Sequence, residues 1–264
     1  MRREHWILLS LVLIVLGLIY CMFCLNIDND KTKSEKRENF KLLSKNFYSV
    51  EEVCPELNLI HSTLPLIRAE VEKVRDDEWP DWPEKELYDK RELKSTIFDS
   101  NPDKRDTPFK WNIYPFTAFG VVVKENCRRC PELWKFLQKI PGLKIALLSK
   151  LGPGVKLNTH QGWGNHSNHV IRCHFGFDVP YGCYVSVRDK LEDDEEIRLH
   201  KENDWIVFDD SRHHYAHNPT NRERIVLIVD VERPDNIKPG TSVVGDTKEL
   251  LQIVDYFRNT DRLS

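Results

Sequence analysis

The stretch at residues 169–179, HVIRCHFGFDV, is one of seven similar runs that decide the fold. From residue 143 onward, short runs rich in Val, Ile, Leu and aromatic residues alternate with Gly, Pro, Asn and Asp. Several short strands separated by turn residues are typical of a β-sandwich or barrel. We therefore predict a mainly β core over about residues 143–235. The runs are KIALLSKL, HVIRCHFGFDV, CYVSV, EIRLH, DWIVFDD, HHYAH and RIVLIVDVE.

Helical patterns flank the strand-rich region. Residues 40–74 have apolar residues at helical spacing in places, and residues 132–140 indicate another short helix. Residues 248–258, KELLQIVDYFR, predict an amphipathic C-terminal helix that closes one end of the core. Residues 76–90 carry two Trp-Pro pairs, so they predict an extended loop whose aromatic residues pack against the domain.

The N-terminus contains a candidate membrane span. After a short tail at residues 1–5, residues 6–25 are uncharged, and about 20 such residues cross a bilayer as a helix. The run is longer than the apolar core of a cleaved signal peptide, which favours an uncleaved signal anchor. Residues 26–39 are polar and predict a tether to a domain at residues 40–264.

The membrane orientation is not decided by charge, because basic residues stand on both sides of residues 6–25. Long domains translocate largely regardless of charge, so we expect a single-pass type II protein. Its catalytic domain would then lie in the lumen of the endoplasmic reticulum or secretory pathway.

Charge and cysteine content bear on three questions: nucleic-acid binding, disulfide bonds and zinc sites. The chain has 39 Lys and Arg against 42 Asp and Glu, without a basic block, so we expect no nucleic-acid partner. In an oxidising lumen Cys127 and Cys130 could close a small disulfide loop, whereas a zinc site would need a second pair at similar spacing. Cys173 and Cys183 lie in strand-like runs and are expected to be buried apolar residues.

Histidines are concentrated in the strand-rich half. Eight of the ten lie between His160 and His217. Neutral imidazole is the commonest protein ligand of iron and zinc, so a metal site is one reason for the concentration. Histidines gathered on the surface by chance are the alternative.

Two arginines indicate a buried anion. Arg172 and His174 are two residues apart in one strand, so they share a face. On an interior face this pair would require an anionic partner, whereas an outward polar face would not. If the chain forms a hairpin about residues 218–220, Arg224 faces His214 and joins the same face.

The chain resembles a known family at four motifs: HQG at 160–162, RCHFGF at 172–177, FDDS at 208–211 followed by His214, and RIVLIVDV at 224–231. Their order and approximate spacing resemble the aspartyl/asparaginyl β-hydroxylases. These are iron(II)- and 2-oxoglutarate-dependent oxygenases. The resemblance implies a double-stranded β-helix, a jelly-roll or cupin-like core, with supporting N-terminal helices and a C-terminal helix.

The resemblance also implies residue roles. His160 and His214 would be the iron ligands, and 2-oxoglutarate would be held by Ser149, Arg172, His174 and Arg224. His160, His214, Arg172 and Arg224 would carry catalysis. Many iron oxygenases have a carboxylate ligand two residues after the first histidine, where this chain has Gly162. The aspartyl/asparaginyl β-hydroxylases, which this chain resembles, bind iron through two histidines and no carboxylate.

The implied reaction consumes 2-oxoglutarate and O2 and hydroxylates a protein side chain. Residues 163–168 look like a small insertion, so the metal-ligand assignment could shift to His166 or His169. Rim positions near the substrate entrance are favoured for both. Val170 stands where the peptide hydroxylases have an arginine that contacts the target carboxylate, so aspartate specificity does not carry over. The alternatives are a lipid acyl-chain hydroxylase of the same family and an inactive binding module with the oxygenase fold.

Overall fold

The computed structural model describes residues 42–88, 110–248, 250–252, 254, 255 and 259. The expected tail at 1–5, the signal anchor at 6–25 and the tether at 26–39 lie outside these residues. Within the described ranges, no helix is both long and apolar enough to span a bilayer. Residues 44–264 form one compact unit, and the description below concerns that unit.

Ten strands form two antiparallel sheets in the described part of the unit. The large sheet has the order β1-β8-β5-β10-β4-β2-β3, and the small sheet has the order β7-β6-β9. The mainly β prediction is confirmed, and each of the seven predicted runs contains a strand. The strands are β1 Phe47–Tyr48, β2 Trp111–Ala118, β3 Val121–Val122, β4 Leu143–Leu151, β5 Val170–Asp178, β6 Tyr184–Arg188, β7 Glu196–Leu199, β8 Trp205–Phe208, β9 His213–His217 and β10 Arg224–Glu232.

The two sheets pack against each other through a shared apolar cluster. Leu151 and Phe208 from the large sheet meet Val185, Val187 and Ala216 from the small one, and all five are buried. Fully burying such a side chain contributes roughly 1.5–3 kcal/mol, so this cluster holds the sheets face to face. Between β4 and β10 the chain passes repeatedly from one sheet to the other, which is the arrangement that the resemblance implies.

The predicted hairpin about residues 218–220 is wrong. β9 pairs with β6, whereas β10 pairs with β4 and β5, so His214 and Arg224 belong to different sheets. Asn218 explains the change of direction, because its buried amide nitrogen lies within 3.0 Å of the carbonyl oxygens of Leu151, Gly152 and Arg222. These contacts anchor the corner where the chain crosses between the sheets.

The sheet extends further than the prediction of a core at about 143–235. β2 begins at Trp111 and pairs with β4 along most of its length. Its sequence, WNIYPFTA, carries a proline inside an apolar run. Proline is uncommon inside strands, so the sequence pattern did not predict a strand here. The register shifts between Pro115 and Thr117, so the strand accommodates the proline at an irregularity.

The predicted supporting helices are present. The helix Leu64–Val74 packs against Pro131–Leu137, where both oxygens of the buried Glu70 accept the backbone N–H groups of Glu132 and Leu133. This carboxylate satisfies donors that a helix start otherwise leaves unpaired. The helices are α1 Val50–Val53, α2 Leu64–Val74, α3 Lys124–Arg129, α4 Pro131–Leu137 and α5 Gly164–Ser167, with 3-10 turns at Pro55–Ser62 and Lys85–Leu87.

The described residues at 248–259 are helical, in agreement with the predicted C-terminal helix. Leu250 on this segment is buried in an apolar cluster with Trp163. Of the Trp-Pro loop, Trp79 is buried beside Tyr114 and Trp82 stacks on Trp111, so these aromatic rings pack as expected.

The cysteines of the unit are free and buried. The disulfide between Cys127 and Cys130 considered from the sequence is absent, and burial raises the pKa of each thiol to about 12. Such thiols are poor nucleophiles. Cys173 and Cys183 are buried, as predicted.

Candidate active site

One cavity between the two sheets is lined by all six residues that the sequence nominated. They come from β4, β5, β9, β10 and the segment before α5. Mainly apolar side chains from both sheets complete the wall. The six are Ser149, His160, Arg172, His174, His214 and Arg224.

His160 and His214 lie side by side on paired backbone. Each backbone N–H donates to the other residue's carbonyl, at 3.0 and 2.8 Å, and the ring centroids are 4.3 Å apart. The Nδ1 atoms lie 2.7 Å from the carbonyl oxygen of Asn158 and 2.8 Å from that of Arg212. A carbonyl only accepts, so each Nδ1 carries the hydrogen and each Nε2 keeps a free lone pair. This tautomer is the one that binds a metal.

Burial keeps both rings neutral. It lowers the pKa of His160 to about 3, with a contribution from neighbouring His214, and it lowers the pKa of His214 to about 4. A neutral imidazole is required for metal binding, so no proton has to be displaced near pH 7. The pair therefore fits a metal ion as two ligands.

A carboxylate missed by sequence reasoning stands beside this pair. Asp210 Oδ1 lies 3.3 Å from His214 Nε2 and 2.5 Å from Arg172 Nη1. A Cβ atom added at Gly162 would come 2.0 Å from Asp210 Oδ2 and 2.8 Å from Ser167 Cβ. Gly162 therefore lacks a side chain because Asp210 occupies the space. Asp210 lies within the FDDS motif quoted above, and that motif is the sequence feature from which it could have been predicted.

Arg224 is fully buried without a carboxylate partner among the described residues. Its Nη2 donates to Ser149 Oγ at 3.2 Å, while Nε and Nη1 have no partner there. Burial lowers the pKa of Arg224 to about 10. Ser149 Oγ also accepts from Trp111 Nε1 at 2.9 Å, so its own hydrogen is left to donate elsewhere. These unpaired donors fit an anion such as the carboxylate of 2-oxoglutarate.

Arg172 is in the opposite situation. Its Nε and Nη2 donate to the two oxygens of Asp230, each at 2.8 Å, and its Nη1 faces Asp210. Burial raises the pKa of Asp230, but Arg172 more than offsets that effect and holds it well below the usual range. The anions that meet Arg172 are thus carboxylates of this chain, and the argument for an anionic ligand applies to Arg224 instead. Contact between Arg172 and the cosubstrate stays a prediction.

Residues 163–168, interpreted from the sequence as a small insertion, include α5 and contact the Arg172 network. His166 Nε2 lies 2.8 Å from Asp230 Oδ2, and its ring packs edge-on against Phe119. His166 therefore contacts the carboxylate that binds Arg172, and a rim position near the substrate entrance stays a prediction for both His166 and His169. His169 is exposed, and neither residue lines the cavity.

His174 lines the cavity and has one nitrogen without a partner in the described part of the chain. Its Nδ1 lies 3.2 Å from Nε2 of His200, a buried residue to which the sequence assigned no role, while its Nε2 has no partner among the described residues. The pKa of His174 lies well below its usual value because of burial, His200 and Arg224.

Comparison with known proteins shows which family the chain belongs to. The family model for aspartyl/asparaginyl beta-hydroxylase matches residues 61–234. An ornithine lipid ester-linked acyl 2-hydroxylase from Rhizobium tropici is 34% identical over 181 residues, covering 66% of this chain and 56% of that protein. Aspartate beta-hydroxylase domain-containing protein 2 from Mus musculus is 32% identical over 135 residues, covering 48% of this chain and 37% of that protein.

The chain thus spans little over half the length of the first relative and about a third of the second. Among solved structures, a prolyl-4-hydroxylase from Pseudomonas putida is similar, with a TM-score of 0.38 and 12% identity over 64% of this chain and 87% of that chain. A likeness of that extent carries no argument about function. The family model covers more than half of the residues, and on that match the chain belongs to the aspartyl/asparaginyl β-hydroxylase family.

Proposed function

We propose that this protein is a hydroxylase that uses iron(II), 2-oxoglutarate and O2. One observation carries the proposal: the six nominated residues line one cavity, where two imidazoles keep their Nε2 lone pairs and a buried guanidinium has two nitrogens without a partner among the described residues. The first feature fits a metal ion, and the second fits the anionic cosubstrate. Family membership supports the same reading.

The chain's own residues would bind and orient. His160 and His214 would hold iron through Nε2, and Arg224 with Ser149 would hold a carboxylate of 2-oxoglutarate. Bound iron, with 2-oxoglutarate and O2 as cosubstrates, would supply the oxidation of a C–H bond to an alcohol, while 2-oxoglutarate becomes succinate and carbon dioxide.

Asp210 and Arg172 would fix the polar side of the iron site. Arg172 is locked by Asp230 and Asp210, so its guanidinium enters the cavity in one orientation. The apolar wall, which includes Leu157, Phe208 and Ile228, would exclude water and limit side reactions.

The substrate is proposed as a protein side chain or a lipid acyl chain. Val170 is 1% exposed, so it offers an acidic side chain neither a charge nor a surface. That observation and the similarity to a protein named as an acyl 2-hydroxylase favour the lipid. Mass spectrometry of peptides and lipids incubated with the protein, iron(II) and 2-oxoglutarate would decide between them by a gain of one oxygen.

The signal anchor at 6–25 and the lumenal domain stay predictions. A membrane tether would suit a lipid substrate and a secretory protein substrate equally. An inactive binding module is the remaining alternative, and it would form no succinate when supplied with iron(II) and 2-oxoglutarate.

The function is tested through one ligand. His214→Ala should lower iron-dependent succinate formation by at least about 100-fold. Loss of a residue that only hydrogen-bonds to a metal ligand already lowers metal affinity or activity by about 10–100-fold, and loss of the ligand itself should cost more. Iron content, measured after gel filtration, should fall with it. His213→Ala is the matched control, since the neighbouring side chain is outside the cavity lining. Full turnover in His214→Ala would overturn the assignment.

A further inference from the structure

His200 lies behind His174, outside the side chains that line the cavity. It follows β7, is buried, and its backbone N–H donates to the carbonyl of Cys183 at 2.8 Å. Its ring contacts His174, which lines the cavity together with Arg224. A polar ring buried at this place requires an explanation, because burying an unsatisfied polar group is costly.

The two rings are joined edge to edge. His174 Nδ1 and His200 Nε2 are 3.2 Å apart, the ring centroids are 5.5 Å apart and the planes differ by only 9°. The nitrogen edges therefore face each other in a nearly common plane, as in an N–H···N hydrogen bond. In a neutral pair one ring donates and the other accepts.

The direction of this hydrogen bond determines what His174 offers the cavity. If His200 donates, His174 accepts at Nδ1 and carries its hydrogen on Nε2. That N–H then adds to the unpaired donors of Arg224 and Ser149. If His174 donates instead, its Nε2 lone pair faces the bound anion and repels it. Only the first arrangement fits an anionic ligand.

Gly176 explains how the chain delivers His200. It lies two residues after His174, on the same face of β5, and a Cβ there would come 2.1 Å from the carbonyl oxygen of Lys201. The N–H of Asn203 donates to the Gly176 carbonyl at 2.8 Å, and the N–H of Gly176 donates to the backbone carbonyl of Asp204 at 3.2 Å. The missing side chain thus lets the segment after β7 lie directly on β5, which fixes His200 against His174.

We infer that His200 is a positioning residue for the anionic cosubstrate: its Nε2–H holds His174 in the tautomer that donates into the cavity. This inference rests on the proposed function. It adds a residue that touches neither the metal ligands nor the cavity, and it assigns a reason for the glycine in RCHFGF.

The test is a binding measurement on the full chain loaded with manganese(II) in place of iron. Calorimetric titration with 2-oxoglutarate should give a dissociation constant at least about tenfold higher for His200→Leu, which removes a donor to a histidine that binds a charged ligand. His200→Gln keeps an N–H donor at similar reach and should stay within about threefold of the wild type. His217→Leu is the control, a half-buried histidine of β9 outside the cavity.

The outcomes separate two failures. Wild-type protein that binds no 2-oxoglutarate overturns the proposed function and this inference with it. Wild-type binding with equal affinity in His200→Leu overturns the inference alone, as does an equal loss in the Leu and Gln variants. Nitrogen NMR of the wild type is independent of how the variants fold: His174 should carry its hydrogen on Nε2, and a hydrogen on Nδ1 contradicts the inference.

Discussion

Arg172 and Arg224 line the same cavity, yet their charges are balanced in different ways. Arg172 meets two buried carboxylates, Asp230 and Asp210, and a histidine supports the first of them. Arg224 meets a serine hydroxyl and otherwise keeps its donors unpaired within the described residues. The first charge is neutralised by carboxylates of the chain, while the second has no carboxylate partner among the described residues.

The difference separates structural from binding charge. A buried ion pair with complete hydrogen bonds keeps groups in place, and breaking it leaves a charge without compensation. A buried charge with no partner costs stability in the free protein and recovers it when an anion binds. The two arginines should therefore respond in opposite ways to the same substitution.

The largest effect on stability is expected from Arg172→Met. It leaves Asp230 and Asp210 without their cation, so the free energy of unfolding should fall by about 3–5 kcal/mol in urea denaturation. Asp230→Asn in the same chain should recover part of the loss. Arg68→Met removes an exposed ion pair with Glu202 and should cost less than about 1 kcal/mol. A loss no larger than that control would contradict the structural role.

Arg224→Met should leave the stability of the free protein unchanged or raise it, because it removes an unpaired buried charge. It should weaken 2-oxoglutarate binding by about 100-fold, or about 2.7 kcal/mol, through the loss of a charged hydrogen-bonded contact. Calorimetric titration and urea denaturation measure the two quantities. Arg222→Met, at an exposed arginine two residues earlier, is the control. Strong destabilisation with intact binding would remove the contrast between the arginines.

The smallest effect concerns the space between the pair His160 and His214 and the Arg172 network. Gly162→Ala places a methyl group against Asp210, so we expect a loss of about 1–3 kcal/mol from overpacking. Gly245→Ala meets no atom within 4 Å and should be neutral in the same thermal or urea measurement. If both variants match the wild type, Asp210 does not fill the place of the missing side chain.

Strand positions and the residues of the cavity could be read from the sequence because each depends on local order. β5 and β10 are strongly apolar runs, and His174 shares a face with Arg172 by strand parity alone. The family resemblance then nominated His160 and Ser149. The strand positions depend on residues close in the chain, whereas these two roles depend on the resemblance.

What the sequence missed depends on contacts between distant segments. The sequence at Asn218 is compatible with a hairpin turn. The structure instead has a corner, because the Asn218 side-chain amide donates to carbonyls of β4 and of the following glycine. Asp230 and Asp210 contact Arg172, and His166 contacts Asp230. The three residues come from separate segments, and no spacing rule joins them. His200 reaches His174 because a chain crossing is allowed at Gly176, which is a steric fact about backbone.

The position of β10 bears on the order of folding during synthesis. It is the last described strand in the chain, but it lies between β4 and β5, whose residues precede it by about fifty to eighty positions. Until residues 224–232 leave the ribosome, the two central strands present unpaired edges and apolar faces, which favours aggregation or chaperone binding. Such non-local pairing is slow to form. The strand that carries Arg224 therefore completes both the central sheet and the wall of the cavity only after β4 and β5 have been made.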